Sequence, residues 1–446
     1  MERNQTFAKT VCSLAVPVAL QSMLQSSFSI VDQIMIGQLG SVSVAGVGLA
    51  GKFSSIFSVV VSAIGAIAGI MISQYLGQKN KGEVRRSFSV NLLVSLGIAA
   101  VFTLLCLLLP RQIMGLYTKD GDTLAAASSY LVIVAGTFLP MAGATLLSTL
   151  FRCMEKASLP LYASIAAALL NTGLNYILIF GKLGFPAMGA DGAAIATLIS
   201  QIANFLIMFV LYRRHKDILA SDGSAGGLAG FNWKQFAAML LPILVCEFMW
   251  SLGENVYAAI YGHLGTESCA AMTLLNPING LMIGALCGLS QAASVIVGKL
   301  LGTGEYDEAY AASKKLMLYG LVGSLILSAV TILARGCYVR IYQVEETVRQ
   351  MTMQIMVSYA AVAPFKILNM ILGGGILRSG GKTQYTMAVD LTGTWVFGVP
   401  LGMLAAFVLK LPIAWVYFVL SLEECIRAGI SLVLFRKRKW MQMLKS

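Results

Sequence analysis

Charge is scarce in this chain. Asp, Glu, Lys and Arg together make up 12% of 446 residues, too little to coat a water-soluble protein of this length, so a soluble fold is excluded. Histidine occurs twice, which leaves no material for an imidazole cluster, an HExxH helix or a histidine-based nucleophile, and an enzyme is not expected. Cys12, Cys106, Cys153, Cys246, Cys269, Cys287, Cys337 and Cys425 are scattered with no CxxC pair. They read as small apolar packing residues, with neither a disulfide framework nor a metal site implied. A phosphate loop is also missing. Gly373-Gly-Gly-Ile-Leu-Arg-Ser-Gly-Gly-Lys-Thr comes near, but the G-x4-G-K-[ST] spacing requires glycine where Ile376 stands, and the segment reads as a short cytoplasmic turn with a positive anchor.

What is present is apolar sequence. Hydrophobic residues reach 57% and mean hydropathy is +0.78. Uncharged runs long enough to cross about 30 Å of hydrocarbon occur at Phe53–Tyr75, Phe88–Pro110, Leu124–Leu150, Leu159–Phe180, Gly192–Tyr212, Cys269–Gly298 and Leu316–Ala334. Helices are the only viable form for them. Segments near 10–36, 236–262, 351–373, 385–409 and 412–435, each with one or a few charges, bring the count to twelve.

The chain also repeats itself. Pro17, Ser26, Val31, Gly37, Leu39, Gly40, Leu76 and Gly77 return 225 positions later as Pro242, Ser251, Val256, Gly262, Leu264, Gly265, Leu301 and Gly302. After one inserted residue Arg152, Lys156 and Pro186 fall opposite Arg378, Lys382 and Pro412. Two homologous halves are a common plan for secondary transporters. Six spans per half is an even number, so the halves are parallel repeats related by an axis along the membrane normal. The expected fold is therefore an all-α integral membrane protein, twelve transmembrane helices in two six-helix lobes: residues 1–212 (spans 1–6), a polar, glycine-rich linker at 213–234, and residues 235–446 (spans 7–12).

Lys and Arg concentrate in alternate loops, among them Lys79, Lys81, Arg85, Arg86, Arg213, Arg214, Lys314, Lys315 and Arg436–Lys439. This places both termini in the cytoplasm and accounts for most of the net charge of +12 without a nucleic-acid partner. The first span has no small-residue cleavage site and is expected to stay in the mature protein.

An ionisable group inside a span is costly, so each is a functional candidate. Asp32 lies in span 1 on a helix rich in hydroxyls and amides, Gln21-Ser-Met-Leu-Gln-Ser-Ser-Phe-Ser-Ile-Val-Asp-Gln. Asn171 and Asn175, one turn apart in span 5, Thr197 in span 6 and Tyr130 in span 4 could complete an oxygen-rich pocket able to take a proton or a hard cation such as sodium. Asparagines in spans also serve simply as interhelical glue. In the second half Tyr257 replaces Asp32, with Glu247 and Glu254 earlier on the same helix face. Lys366, Asp390, Glu423, Glu424 and Arg427 add charges in spans 10–12, and Glu423 falls opposite Thr197. These form either a salt-bridged network in which Lys366 and Arg427 neutralise glutamates, or a second proton or cationic-substrate site. Pro17 and Pro242 interrupt spans 1 and 7, and Pro17 is a candidate hinge that the charge on Asp32 could bias.

Pro17, Val31-Asp32, Met35-Ile-Gly-Gln-Leu-Gly40, Leu76-Gly77, the Phe151-Arg152 and Leu377-Arg378 turns and Gly189-Ala-Asp-Gly-Ala-Ala-Ile-Ala-Thr197 together resemble the multidrug and toxic compound extrusion (MATE) family over essentially the whole chain. The resemblance implies two lobes forming a V around a central cavity, and antiport in which inward proton or sodium flow drives export of organic, often cationic and aromatic, compounds. It also implies a first-lobe pocket of the kind assembled from Asp32, Tyr130, Asn171, Asn175 and Thr197. Where some relatives have a second acid in span 5 this chain has Asn175, and where others have an acid in span 10 it has Lys366; both departures weigh against sodium. The expectation is a multidrug antiporter of a prokaryotic inner membrane, acting as a monomer with H+ or Na+ as coupling ion and no other cofactor. The alternative is a flippase for lipid-linked saccharides, for which Lys52, Lys366 and Arg427 would have to hold a diphosphate.

Overall fold

The computed structural model describes residues 2–215, 231–342 and 344–444; most of the expected linker at 213–234 lies outside them. Among the described residues the protein is built from helices. The first half holds α1 (Glu2–Gly37), α2 (Ser41–Gly77), α3 (Lys81–Leu108), the short α4 (Pro110–Gly115), α5 (Gly121–Ala135), α6 (Phe138–Cys153), α7 (Ser158–Phe180) and α8 (Gly189–Arg214). The second holds α9 (Trp233–His263), α10 (Thr266–Gly302), α11 (Tyr306–Arg340), α12 (Glu346–Asn369), α13 (Thr383–Leu391), α14 (Val399–Met403) and α15 (Ile413–Arg436).

Ten helical segments are long and apolar enough to cross a bilayer, and the pair α5 and α6, bent by 47°, makes an eleventh. Pro140 explains the bend, since its ring excludes the carbonyl of Gly136 from a regular turn. The twelfth expected span is α15, 24 residues long with Glu423, Glu424 and Arg427 buried along it. α12 runs into a π-helical stretch, Met370–Leu377, and two more, Thr392–Gly398 and Leu404–Val408, flank α14. Loosened turns of this kind change which side chains face inward.

Packing divides the chain into two compact units that do not part at the middle of the sequence. One comprises Leu20–Ile72 and Asn80–Phe231; the other comprises Asn232–Ser446 together with Met1–Ala19 and Ser73–Lys79. Small residues are the reason the ends of α1 and α2 pack with the second half. A Cβ on Gly77 would strike the carbonyl of Lys299, one on Gly302 the carbonyl of Gln74, one on Gly298 the side chain of Ser73, and one on Gly288 the carbonyl of Ala15. Ser73 and Gly298, like Gly77 and Gly302, stand 225 positions apart, so equivalent residues of the repeat meet one another, as a local two-fold relation between these helix ends requires.

The segment after α15 seals the same region. The fully buried Gln74 donates to the carbonyls of Ser379 (2.6 Å) and Gln442 (3.1 Å) and accepts from the Leu444 amide at 2.7 Å. Gln78 donates to the Leu444 carbonyl at 2.9 Å. Trp440, 1% exposed, stacks on Phe435, which stacks on Tyr310 at 4.6 Å. In the other unit an aromatic core of Phe57, Phe102 and Phe138 fills the space between α2, α3 and α6.

Candidate functional sites in the two halves

The first site lies wholly within the unit that holds α7 and α8. Asn171 and Asn175 differ by four residues, so both amides leave the same face of α7 and reach α1. Asn175 Nδ2 donates to Asp32 Oδ1 at 2.6 Å. An oxygen of Asn171 set against an ionised Asp32 would oppose two acceptors; turned the other way, its nitrogen donates to Oδ1 at 3.0 Å and Oδ2 at 3.1 Å. In the unturned orientation Asn171 accepts from Asn175 at 3.2 Å and donates to Thr197 Oγ1 at 3.4 Å. Thr197 itself donates to the Ala193 carbonyl at 2.9 Å. Tyr130 makes no hydrogen bond to this group among the described residues. It packs on Ile36, Ile179 and Ala193, one turn from Asp32, Asn175 and Thr197 respectively, and closes the pocket with apolar surface. The five expected residues are thus brought together, four by polar contact and one by packing. Asn171 and Asn175 are 8% and 1% exposed while Asp32 is half-buried, so the carboxylate meets buried donors on one side and stays open on the other.

The second half carries a longer array of alternating charge. Glu247 accepts from Arg378 at 3.4 Å; Arg378 reaches Asp390 at 4.0 Å; Asp390 reaches Arg427 at 3.9 Å; and Arg427 reaches Glu423 at 3.7 Å and Glu424 at 3.9 Å. Neutral donors complete it: Tyr257 Oη gives a 2.8 Å bond to Glu423, Asn369 Nδ2 a 2.8 Å bond to Glu424, and Cys246 Sγ a 2.8 Å bond to Asp390. Two glycines of the stretch Thr392–Gly398 make room, since a Cβ on Gly393 would strike the Arg427 side chain and one on Gly398 the Tyr257 hydroxyl.

Two expectations about this region need correcting. Arg427 does neutralise glutamates, but Lys366 has no ion pair within 4.0 Å among the described residues; Arg378, read from sequence as a cytoplasmic anchor, is the second neutralising cation. Glu247 and Glu254 do not act as one group either. The first pairs with Arg378, while Glu254 lines a cavity of about 350 Å3 with Lys366, Tyr257, Tyr261, Tyr359 and Tyr417. Tyr261, Tyr359, Tyr417 and Asn369 share spans with Glu254, Lys366 and Glu423 and were missed because a neutral side chain beside a charged one carries the weaker signal. No group of three or more His, Cys, Asp or Glu side chains among the described residues could hold a metal ion.

The repeat extends to these contacts. In the first half Gln21 donates to Ser164 at 2.7 Å and accepts from Arg152 at 3.1 Å. Their counterparts Cys246, Asp390 and Arg378 form the same triad, with Arg378 Nη2 3.6 Å from Cys246 Sγ. Asp32 and Thr197 correspond to Tyr257 and Glu423, so acid and hydroxyl have changed places between the first and sixth helices of each half.

Such an arrangement, a helical bundle repeated twice with one buried polar site per half, belongs to a membrane transporter and not to an enzyme. The sequence model of the MatE family matches residues 17–177 and again 242–404, the two matches beginning at the two repeated prolines; the chain belongs to this family. It is 23% identical over 438 residues to a "Probable multidrug resistance protein NorM" of Thermotoga maritima, covering 97% of this chain and 93% of that one. To a NorM of the same description from Chromobacterium violaceum it is 28% identical over 406 residues, covering 89% and 86%. The fold matches the Vibrio cholerae MATE transporter VcmN, solved in its bent form, at a TM-score of 0.88, 18% identity and 98% coverage of each chain. The flippase alternative is not favoured by these matches.

Proposed function

We propose that this protein exports organic compounds across a prokaryotic inner membrane, with both termini cytoplasmic, in exchange for protons taken up at Asp32, and that it does so as a monomer. The carrying observation is the carboxylate of Asp32 in contact with two asparagine amides on α7. An ionised Asp32 is matched by the nitrogens of both amides. A protonated Asp32 has a hydrogen to give, and Asn171 in its other orientation offers an oxygen to receive it while its nitrogen turns to Thr197 on α8. One amide rotation thus links the proton on α1 to the contacts between α7 and α8. The donor set favours a proton over sodium: a cation needs oxygens, yet the amides can present nitrogens to the single carboxylate, and the Thr197 hydroxyl bonds a backbone carbonyl. A proton entering down about 100 mV contributes roughly 2.3 kcal/mol, to which a pH gradient adds.

Pro17 supports the coupling. It lies two residues before α1 passes from one compact unit to the other at Ala19–Leu20, where the missing hydrogen bond makes the helix easiest to bend. The test is export of a cationic dye into everted vesicles carrying the intact chain, with proton and sodium gradients collapsed separately. Export should stop when the proton gradient is removed, persist without sodium, and fall to background in Asp32→Asn; normal proton-driven export by that variant would rule the mechanism out.

A further inference from the structure

α15 ends in Arg436-Lys-Arg-Lys439, all four exposed, and the backbone turns sharply within that run. Lys437 caps the helix, and Arg438 after it adopts the left-handed conformation at φ +54°. Glycine is the usual residue there because a Cβ strains that backbone. The arginine in its place has two contacts on α11: it donates to Asp307 at 2.8 Å, and its guanidinium lies 4.2 Å from the centre of the Tyr310 ring. Lys314, one turn further along α11, sets its ammonium 4.6 Å from the centre of the same ring. Beside it Lys315 lies over Phe7 at 5.3 Å.

A ring attracts each cation, but two cations drawn to one ring repel each other. Asp307 offsets this only in part. Its side chain is 90% exposed and that of Arg438 48%, which makes their pair weak and easily opened, and Lys314 has no ion pair within 4.0 Å among the described residues. A phosphate group is suited to the remaining charge, since its several acceptor oxygens can be shared by a guanidinium and an ammonium. The place identifies its source. The cations stand at the end of a membrane span, beside the aromatic stack of Tyr310, Phe435 and Trp440, and a cluster of Lys and Arg in that position attracts anionic lipid. Loop charges that merely set orientation need no fixed geometry, whereas Arg438 and Lys314 are both held against one ring.

We infer that the end of α15 and the first turns of α11 form a binding site for the headgroup phosphate of an anionic phospholipid, shared between Arg438 and Lys314. The stack under the site continues through Trp440 into the segment whose Gln442 and Leu444 backbones hold the buried Gln74. A headgroup bound there therefore tightens the anchorage of that segment and stabilises the folded chain.

The purified full chain in a non-ionic detergent is melted with added phosphatidylglycerol, and with phosphatidylcholine or inorganic phosphate at matched concentration. Phosphatidylglycerol should raise Tm by about 2 °C or more, and the other two should not. Arg438→Gly removes the charge but keeps a residue at ease in the left-handed turn, so it should melt near the wild-type temperature without lipid and lose roughly half or more of the lipid shift. Lys314→Gln, which leaves the turn untouched, should lose a similar share. Arg85→Gln, which removes an exposed cation of α3, should keep the whole shift. Equal shifts from phosphatidylglycerol and phosphatidylcholine, a full shift in both Arg438→Gly and Lys314→Gln, or an equal loss in Arg85→Gln, the mark of diffuse attraction, would overturn the inference. So would a shift from inorganic phosphate that matches the lipid's, because the site would then take a free anion.

Discussion

At the scale of single residues, a buried polar group needs its partners present, and partners were the part that sequence could only half supply. Asp32, Asn171, Asn175 and Thr197 stood out because each is polar in an apolar span, and three of the four touch Asp32 or the amide beside it. Asn175→Leu removes the 2.6 Å donor, and proton-driven dye export is expected to fall about tenfold or more, since charge-assisted bonds are worth about 1.5–3 kcal/mol; vesicle efflux normalised to protein level checks it. The second half was less legible. Lys366 and Arg378 are both cations in or near spans, and only their neighbours distinguish a free ammonium from a paired guanidinium. Arg427 is 7% exposed and lies within 4.0 Å of three carboxylates. Replacing it with Met strands them, and the cost should be about 3–5 kcal/mol, read as a lowered Tm of the detergent-purified protein; Arg427→Lys should recover part of it.

Whole elements were easier to read than their junctions. Helix existence follows from long apolar runs, and the twelve expected spans each coincide with a helix or, for α5 and α6, a bent pair. The paired prolines, the Gly-x-Leu-Gly clusters and the repeated Leu-Gly dipeptide revealed the duplication correctly. What the dipeptide does was not legible, because a glycine signals close approach only once the opposing backbone is known. Gly77 faces the Lys299 carbonyl and Gly302 the Gln74 carbonyl. The second of these contacts sits beside the buried glutamine that fastens the segment after α15. Gly77→Val would force α2 and α10 apart, and a loss of about 2 kcal/mol is expected from overpacking. Glycine-to-valine change at Gly37 or Gly262, where no atom lies within 4 Å of an added Cβ, should cost far less; thermal melts of the three variants side by side make the comparison. The π-helical stretch before α14 was likewise invisible, since the contacts of its Gly393 with Arg427 and its Gly398 with Tyr257 exist only once the chain has folded.

At the scale of the whole molecule, the question is what the duplication leaves undone. Each half carries an acid and a hydroxyl at equivalent places on its first and sixth helices, yet only α1 and α2 belong in part to both compact units. α9 has its own proline, Pro242, but stays within one unit throughout, so a bend there cannot carry a signal across a boundary. Pro17 can: it stands between the end of α1 that packs with the second half and the stretch bearing Asp32, fifteen residues on. If protonation of Asp32 is to alter anything beyond its own bundle, α1 is the shortest covalent route, and a helix transmits a bend best where a backbone hydrogen bond is already absent. Pro17→Ala restores that bond and should stiffen the helix. The expected outcome is export reduced about tenfold or more with Tm unchanged or raised, because a proline within a helix costs roughly 3 kcal/mol relative to alanine. Pro242→Ala should raise Tm similarly while leaving export near the wild-type rate. Equal losses of export from both substitutions, or none from either, would mean that α1 is not the coupling element and that the proton's effect leaves the first bundle by way of α7 and α8 instead.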